Sequence, residues 1–178
     1  MTTLALAALA TLSTFLSLQT PPTTAPSTQP TAATPATPAA PAGQADSMWT
    51  LPAGWTQEPG ERPMRVATFR AMGVEISVSQ FPGNVGGLLA NVNRWRGQVG
   101  LPPITEAQLP QETPPFKTPG FAGYSMRLKG PKMHLLGASL AEEAAGRTWF
   151  VKAIATPDEA DKLEGSFLEF VKSFKAGR

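Results

Sequence analysis

The fold is decided by the sequence FPGNVGGLLANVNRWRGQVG, residues 81–100, which reads as the end of a strand, a glycine turn and one amphipathic helix. Apolar side chains recur in it at the spacing of a 3.6-residue helix and so share one stripe. This apolar stripe consists of Leu88, Val92, Trp95 and Val99. A polar stripe beside it consists of Asn91, Arg94 and Gln98. We expect the apolar stripe to be buried, and the polar stripe to be either a binding edge or a network that ties the helix to its neighbours.

Alternating patterns predict strands on both sides of this helix, over residues 65–69 and 74–81 before it and over residues 121–129, 132–140 and 147–155 after it. The strand before the helix sends one set of side chains to each face. The first set is Val74, Ile76 and Val78, and the second is Glu75, Ser77 and Ser79. The last two strands contain no proline, so both can be central strands of a sheet.

A second helix is predicted after Thr156, where Thr156-Pro157-Asp158-Glu159 forms a capping box with proline at the first helical position. Large apolar residues then follow at helical spacing on one face. They are Leu163, Phe167, Phe170, Val171 and Phe174. The order of strands, helix, strands and final helix predicts an α+β domain in which helices pack on an antiparallel β-sheet.

Composition divides the 178 residues into three regions. Residues 1–19 contain an apolar run of the length of a signal peptide, although no Lys or Arg precedes it and no Ala-x-Ala site follows it. An uncleaved membrane anchor is the alternative. Residues 20–47 are rich in Pro, Thr and Ala, which predicts a disordered linker, and residues 48–178 form the globular domain. We expect an exported protein, periplasmic or extracellular, with membrane contact only through an uncleaved amino-terminal segment.

Composition also argues against several kinds of site. The net charge of +2 is too small and too dispersed for a nucleic-acid surface. There is no cysteine and one histidine, His134, so neither a thiolate site nor a histidine-rich metal centre can form. We interpret His134 as an exposed strand residue, and Glu142 and Glu143 as solvated loop residues. We predict no catalytic residue, no metal and no cofactor.

The candidate binding residues belong to the glycine turn and to the polar stripe that follows it. Gly86 and Gly87 precede the helix, where backbone N–H groups are able to hold an anion. The turn lacks the Lys and Ser/Thr of a P-loop, and a need for positive φ also explains its glycines. Arginine is typical of binding hot spots, yet a buried arginine or amide has to be hydrogen-bonded and is then structural. Both interpretations stay open for Asn91, Arg94 and Gln98.

Four features occur together within residues 49–175. They are Trp-x-x-Pro-x-Gly-Trp from Trp49 to Trp55, the paired strands that lead to Gly86-Gly87, the helix with Asn91 and Arg94-Trp95-x-x-Gln98, and the Trp149-Phe150 strand before a Phe-rich helix. This combination resembles the PsbP-like fold family, which includes photosystem II extrinsic proteins and a nuclear-import factor that binds the GTPase Ran. The resemblance implies an α/β/α sandwich and a non-catalytic accessory or binding role. It does not identify a ligand for this chain, because the known members bind unrelated partners.

We therefore predict a non-catalytic binding or assembly module of the cell envelope, whose partner is an unidentified protein or small ligand. The alternative is a small-molecule or anion receptor that uses the Gly86-Gly87 turn and the polar face of the following helix. An exposed apolar patch favours the first function, and a polar pocket beside Arg94 favours the second. An enzyme ranks third and would reveal itself by a carboxylate of perturbed pKa in a cleft.

Overall fold

The computed structural model describes residues 48–60 and 62–176, so the predicted leader and linker, residues 1–47, lie outside the described residues. The described strands form one seven-stranded sheet. In chain order they are β1 (Thr56–Gln57), β2 (Ala67–Ala71), β3 (Val74–Pro82), β4 (Pro115–Thr118), β5 (Phe121–Lys129), β6 (His134–Glu142) and β7 (Arg147–Ala155). The helices are α1 (Gly87–Gln98), α2 (Leu109–Glu112) and α3 (Pro157–Lys172). A 3-10 turn, Glu106–Gln108, precedes α2, and a second one, Glu143–Ala145, joins β6 to β7.

All neighbouring strands are antiparallel, in the order β1-β2-β3-β7-β6-β5-β4. Because β7 lies between β3 and β6, the strand before α1 is hydrogen-bonded to the strand before α3. The register sets Ser77 opposite Lys152 and Ser79 opposite Phe150. Residues 75 positions apart in the chain thereby share one face of the sheet.

One face of the sheet is covered by α3, which begins as its capping box predicts. Thr156 Oγ1 accepts from the Glu159 N–H, and Glu159 Oε2 accepts from the Thr156 N–H at 2.9 Å. Below the helix lies a core of large side chains, each of which stabilises the fold by roughly 1.5–3 kcal/mol. Its fully buried members include Phe69, Ile76, Leu140, Trp149, Leu163, Phe167 and Phe170. The ring of Trp49 packs on this core, so the segment before β1 seals it.

The opposite face is covered at its centre by α1, in the phase that the sequence predicts. The buried members of its apolar stripe are Val92, Trp95 and Val99, and Leu88 is half-buried. Trp95 meets Phe150 edge to face with their ring centroids 5.7 Å apart. The helix can approach this closely because Gly137 lies below the indole, where a Cβ would come within 2.7 Å of Trp95 Cζ3. Helices on both faces make the domain the predicted α/β/α sandwich.

The two edge strands are absent from the sequence prediction. β1 has two residues, and β4 begins at Pro115 directly after a second proline. Proline is tolerated at the edge of a sheet, where its missing N–H would face solvent, and these two strands form the two edges. β6 also begins at His134 rather than at residue 132.

Two polar residues expected at the surface have structural partners instead. Glu142 is buried, and it accepts hydrogen bonds from Arg147 Nη2 at 2.8 Å and from Trp149 Nε1 at 3.0 Å. Burial alone would raise the pKa of Glu142, but these hydrogen bonds and the Arg147 charge lower it. His134 is half-buried, with its Nδ1 2.9 Å from Arg127 Nη2. The solvated-loop interpretation of Glu142 is wrong because strand pairing sets Arg147 opposite it.

Candidate functional site

The turn before α1 is satisfied by a side chain of the helix itself. Gly86 is the N-cap at φ 76° and Gly87 follows at φ 70°, in the left-handed region that favours glycine. Asn91 is buried, and its Nδ2 donates to Val85 O at 2.7 Å and to Gly87 O at 2.9 Å. Of the two interpretations left open for the polar stripe, Asn91 fits the structural one.

Further along α1, Arg94 and Gln98 are exposed at the rim of a groove of about 410 Å³, which we call the basic groove. Its floor consists of Ser77, Ser79 and Phe81 from β3 and of Phe150 and Lys152 from β7. One wall consists of Arg94, Trp95 and Gln98 from α1. The facing wall, Pro63, Met64 and Arg65, belongs to the connection between β1 and β2. The groove thus lies between two elements that share the α1 face of the sheet.

Ion pairs hold the facing wall against the sheet. Glu75 accepts from Arg65 Nη1 at 2.7 Å and from Arg62 Nη1 at 2.9 Å. Glu58 accepts from Arg62 Nη2 at 2.7 Å and from Arg70 Nε at 2.6 Å. The hydrogen bond from Arg65 lowers the pKa of Glu75 and outweighs the opposing effect of burial. These side chains are partly exposed, so each pair alone stabilises little and the shared network is what positions the wall.

The tip of this wall combines backbone strain with an exposed apolar side chain. Met64 has φ 61°, a conformation that costs of order 1–3 kcal/mol for a residue other than glycine. Its exposed fraction is 73%, and that of the neighbouring Val66 is 49%. The domain therefore maintains an apolar tip at the mouth of the basic groove at some cost in stability.

Lys152 supplies the positive charge on the floor of the basic groove. Its Nζ donates to Gln98 Oε1 at 3.1 Å, which links β7 to α1. Burial lowers the pKa of Lys152, and the nearby charges of Arg65 and Arg94 lower it further, against the opposing effect of Glu75. The side chain of Arg94 makes no hydrogen bond or ion pair with any residue among those described. Arg94 and Lys152 are thus two cations at one groove that no described carboxylate contacts.

The groove presents positive charge and hydrogen-bond donors to the solvent. Its lining residues supply guanidinium, ammonium, hydroxyl and amide donors, but no carboxylate, imidazole or thiol. Charge-assisted hydrogen bonds of this kind are roughly twice as strong as neutral ones. Over residues 48–60 and 62–176, no group of three or more His, Cys, Asp or Glu side chains could hold a metal ion.

The structure separates the five predicted binding residues into two groups. Arg94 and Gln98 line the basic groove, whereas Gly86, Gly87 and Asn91 lie at the start of α1. Asn91 also borders a smaller cleft of about 250 Å³ on the other side of the helix. Whether either group binds a ligand stays a prediction.

Arg65 and Lys152 are groove residues that sequence reasoning did not identify. Alternation along the strand over residues 74–81 places Ser77 and Ser79 on one face, and this part of the floor was visible in the sequence. Lys152 joins that floor only because β7 pairs with β3, and no local pattern reveals this pairing. Arg65 reaches the groove from the wall opposite α1.

No helix within the described part of the chain is both long enough and apolar enough to cross a membrane. No family model matches the chain, and no curated protein does.

Solved structures do resemble it. LpqN of Mycobacterium tuberculosis, described as involved in cell envelope biogenesis, matches with a TM-score of 0.46 and 12% identity over 73% of this chain and 82% of LpqN. Cyanobacterial PsbP of Synechocystis sp. PCC 6803 matches with a TM-score of 0.44 and 17% identity over 70% of this chain and 83% of that protein. The predicted PsbP-like resemblance is confirmed.

A protein of Bacteroides thetaiotaomicron also matches, with a TM-score of 0.40 and 10% identity over 73% of this chain and 44% of that protein. At these TM-scores and identities the likeness concerns the arrangement of strands and helices alone. A function for this chain therefore has to be argued from its own residues.

Proposed function

We propose that the chain is an exported, non-catalytic binding module of the cell envelope, and that it holds an anionic ligand in the basic groove. The observation that carries this proposal is the position of Arg94 and Lys152, two cations on a wall and on the floor of one groove with no carboxylate partner among the described residues. An anion that enters the groove would contact both and offset the electrostatic cost of their proximity. Export rests on the apolar run within residues 1–19.

We propose a non-catalytic role because of the side chains that line the groove. General acid–base catalysis needs a group that can exchange a proton near neutral pH, most often histidine or a carboxylate. Neither a histidine nor a carboxylate lines the groove, and Lys152 already donates to Gln98 Oε1. The described His134 contacts Arg127, on the face covered by α3, and thus lies away from the groove.

A second candidate, assembly with a partner protein, is favoured by the exposed apolar tip at Met64 and Val66. Exposed apolar side chains beside polar ones mark many protein interfaces, and methionine is enriched there. In this alternative the anion recognised by Arg94 and Lys152 would be an acidic side chain of the partner. A small anion would then compete with the partner for the groove.

Calorimetric titration of the exported domain with inorganic phosphate at low salt tests the proposed function. The variant Arg94→Gln/Lys152→Gln removes both groove cations. The variant Lys129→Gln/Lys132→Gln removes the same charge from exposed lysines elsewhere and is its matched control. We expect saturable binding that the control retains and the groove variant loses. An equal loss of binding in both variants would contradict the proposal, because it would show attraction by net charge, which does not depend on the position of the charges. The absence of binding to the wild type would contradict it as well.

A further inference from the structure

The class of anion can be inferred from the charges around the basic groove, given the proposed function. Arg65 already shares its charge with Glu75. The network on that wall has three arginines, Arg62, Arg65 and Arg70, and two glutamates, Glu58 and Glu75, so it keeps one net positive charge. Arg94 and Lys152 add two more without described carboxylate partners. A singly charged ligand would leave most of this excess in place, whereas a doubly charged ligand matches the two free cations.

The free hydrogen-bond donors are also numerous enough for a tetrahedral oxyanion. The guanidinium of Arg94 has five N–H donors, and no described residue accepts from them. The ammonium of Lys152 donates to Gln98 and has two further donors. The hydroxyl of Ser79 lies on the floor without a hydrogen bond to a described residue, whereas Ser77 Oγ already donates to Lys152 O at 3.2 Å. A flat carboxylate would use fewer of these donors than a phosphate would.

Along β3 the floor of the groove changes from polar to aromatic. Ser77 lies beside Lys152, and Ser79 beside Phe150. Phe81 follows two residues later, about 7 Å further along the strand, and its ring centroid is 5.8 Å from that of Phe150. An anionic group near Lys152 would therefore have an aromatic surface on one side, where an attached organic group could pack.

We propose that the ligand of the basic groove is a phosphate monoester, whose doubly charged phosphate contacts Arg94 and Lys152 and whose organic group lies against Phe81 and Phe150. The unfavourable proximity of Lys152 to two arginines supports this assignment, since a dianion relieves it more than a monoanion does. The volume of about 410 Å³ lies in the lower part of the range typical of small-molecule sites.

Three small probes separate the charge of the anion from the contribution of the organic group. Phenyl phosphate and phenyl sulfate have the same ring and a tetrahedral anion, but above the second phosphate pKa of about 6 the phosphate has one more charge. Inorganic phosphate lacks the ring, and its dianion, which predominates only above neutral pH, has the same charge as phenyl phosphate. Calorimetric titration of the domain slightly above neutral pH, where both phosphates are dianions, should give phenyl phosphate an affinity at least about tenfold higher than that of phenyl sulfate. It should also give phenyl phosphate a higher affinity than inorganic phosphate.

The same titrations on variants keep this inference distinguishable from the proposed function. Phe81→Ala should weaken phenyl phosphate and leave inorganic phosphate unchanged, and Arg94→Gln should weaken both. Lowering the pH through about 6 should weaken phenyl phosphate but not phenyl sulfate. Equal affinities for phenyl phosphate and phenyl sulfate, with both lost in Arg94→Gln/Lys152→Gln, would overturn the phosphate monoester and leave anion binding intact. No groove-dependent binding of any probe would overturn both proposals.

Discussion

Lys152 and Gln98 are in contact within the basic groove: the Nζ of Lys152 donates to Gln98 Oε1 at 3.1 Å, although the two lie 54 positions apart in the chain. This contact joins the floor of the groove to its α1 wall. It also orients the ammonium toward the groove, beside Arg94. The proposed function depends on this arrangement.

Arg94→Gln is expected to leave the free energy of unfolding within about ±0.5 kcal/mol of the wild type, the usual range for surface changes. The side chain of Arg94 is exposed and has no partner among the described residues. Denaturant titration measures the effect. A loss of roughly 1–3 kcal/mol would show instead that Arg94 satisfies buried acceptors and is structural.

Because of Lys152, the stability of the ligand-free domain should vary with pH in the alkaline range. Burial and the charges of Arg65 and Arg94 lower its pKa in the folded state, so between this pKa and the ordinary value the unfolded chain binds more protons. The free energy of unfolding should therefore gain from this group as pH rises through that interval. Denaturation at a series of pH values should show a smaller gain for Lys152→Gln than for the wild type and for Lys129→Gln. Parallel profiles for all three would contradict the crowding of Lys152.

Trp95→Ala should destabilise the domain by about 3–5 kcal/mol, because the indole is buried between α1 and the sheet. Gly137→Ala tests the same packing from below, since its added Cβ would meet the indole ring. The control is Gly97→Ala on the exposed side of α1, where the added Cβ meets nothing within 4 Å. Gly123→Ala would not serve, because its Cβ would also clash. In thermal or denaturant unfolding, Gly97→Ala should be far more stable than Trp95→Ala and Gly137→Ala. A stable Trp95→Ala protein would mean that the phase of α1 is wrong.

Asn91→Ala should cost roughly 1–3 kcal/mol, because it leaves the carbonyls of Val85 and Gly87 without the donor that now reaches both. Asn91→Asp should be at least as destabilising at neutral pH, since a carboxylate would face the same two oxygens. Unfolding measurements on both variants check this. If Asn91→Asp were as stable as the wild type, the amide would not hold the turn.

The helices and central strands were predictable because their patterns are local. The stripe of α1, the capping box of α3 and the alternation of β3 each need only a few consecutive residues. β1 and β4 were missed because edge strands are short and tolerate proline, so the pattern that reveals a central strand is missing from them.

The candidate site was predictable in part. Arg94 and Gln98 were found because they share a helical face, whereas the same face suggested Asn91, which the structure turns toward the glycine turn. Lys152 and Arg65 could not be found, because their place in the groove depends on which strands pair and on where the β1–β2 connection lies. Helical spacing shows which residues are neighbours on α1 but not what faces them.

We propose that the basic groove, rather than the glycine turn before α1, binds the anion. Amide NMR spectra of the domain titrated with phenyl phosphate test it most directly. We expect saturable shift changes centred on Ser77, Ser79, Gln98 and Lys152, which disappear in Arg94→Gln/Lys152→Gln and persist in Lys129→Gln/Lys132→Gln. Shift changes centred on Gly86, Gly87 and Leu88, with the groove residues unchanged, would contradict it.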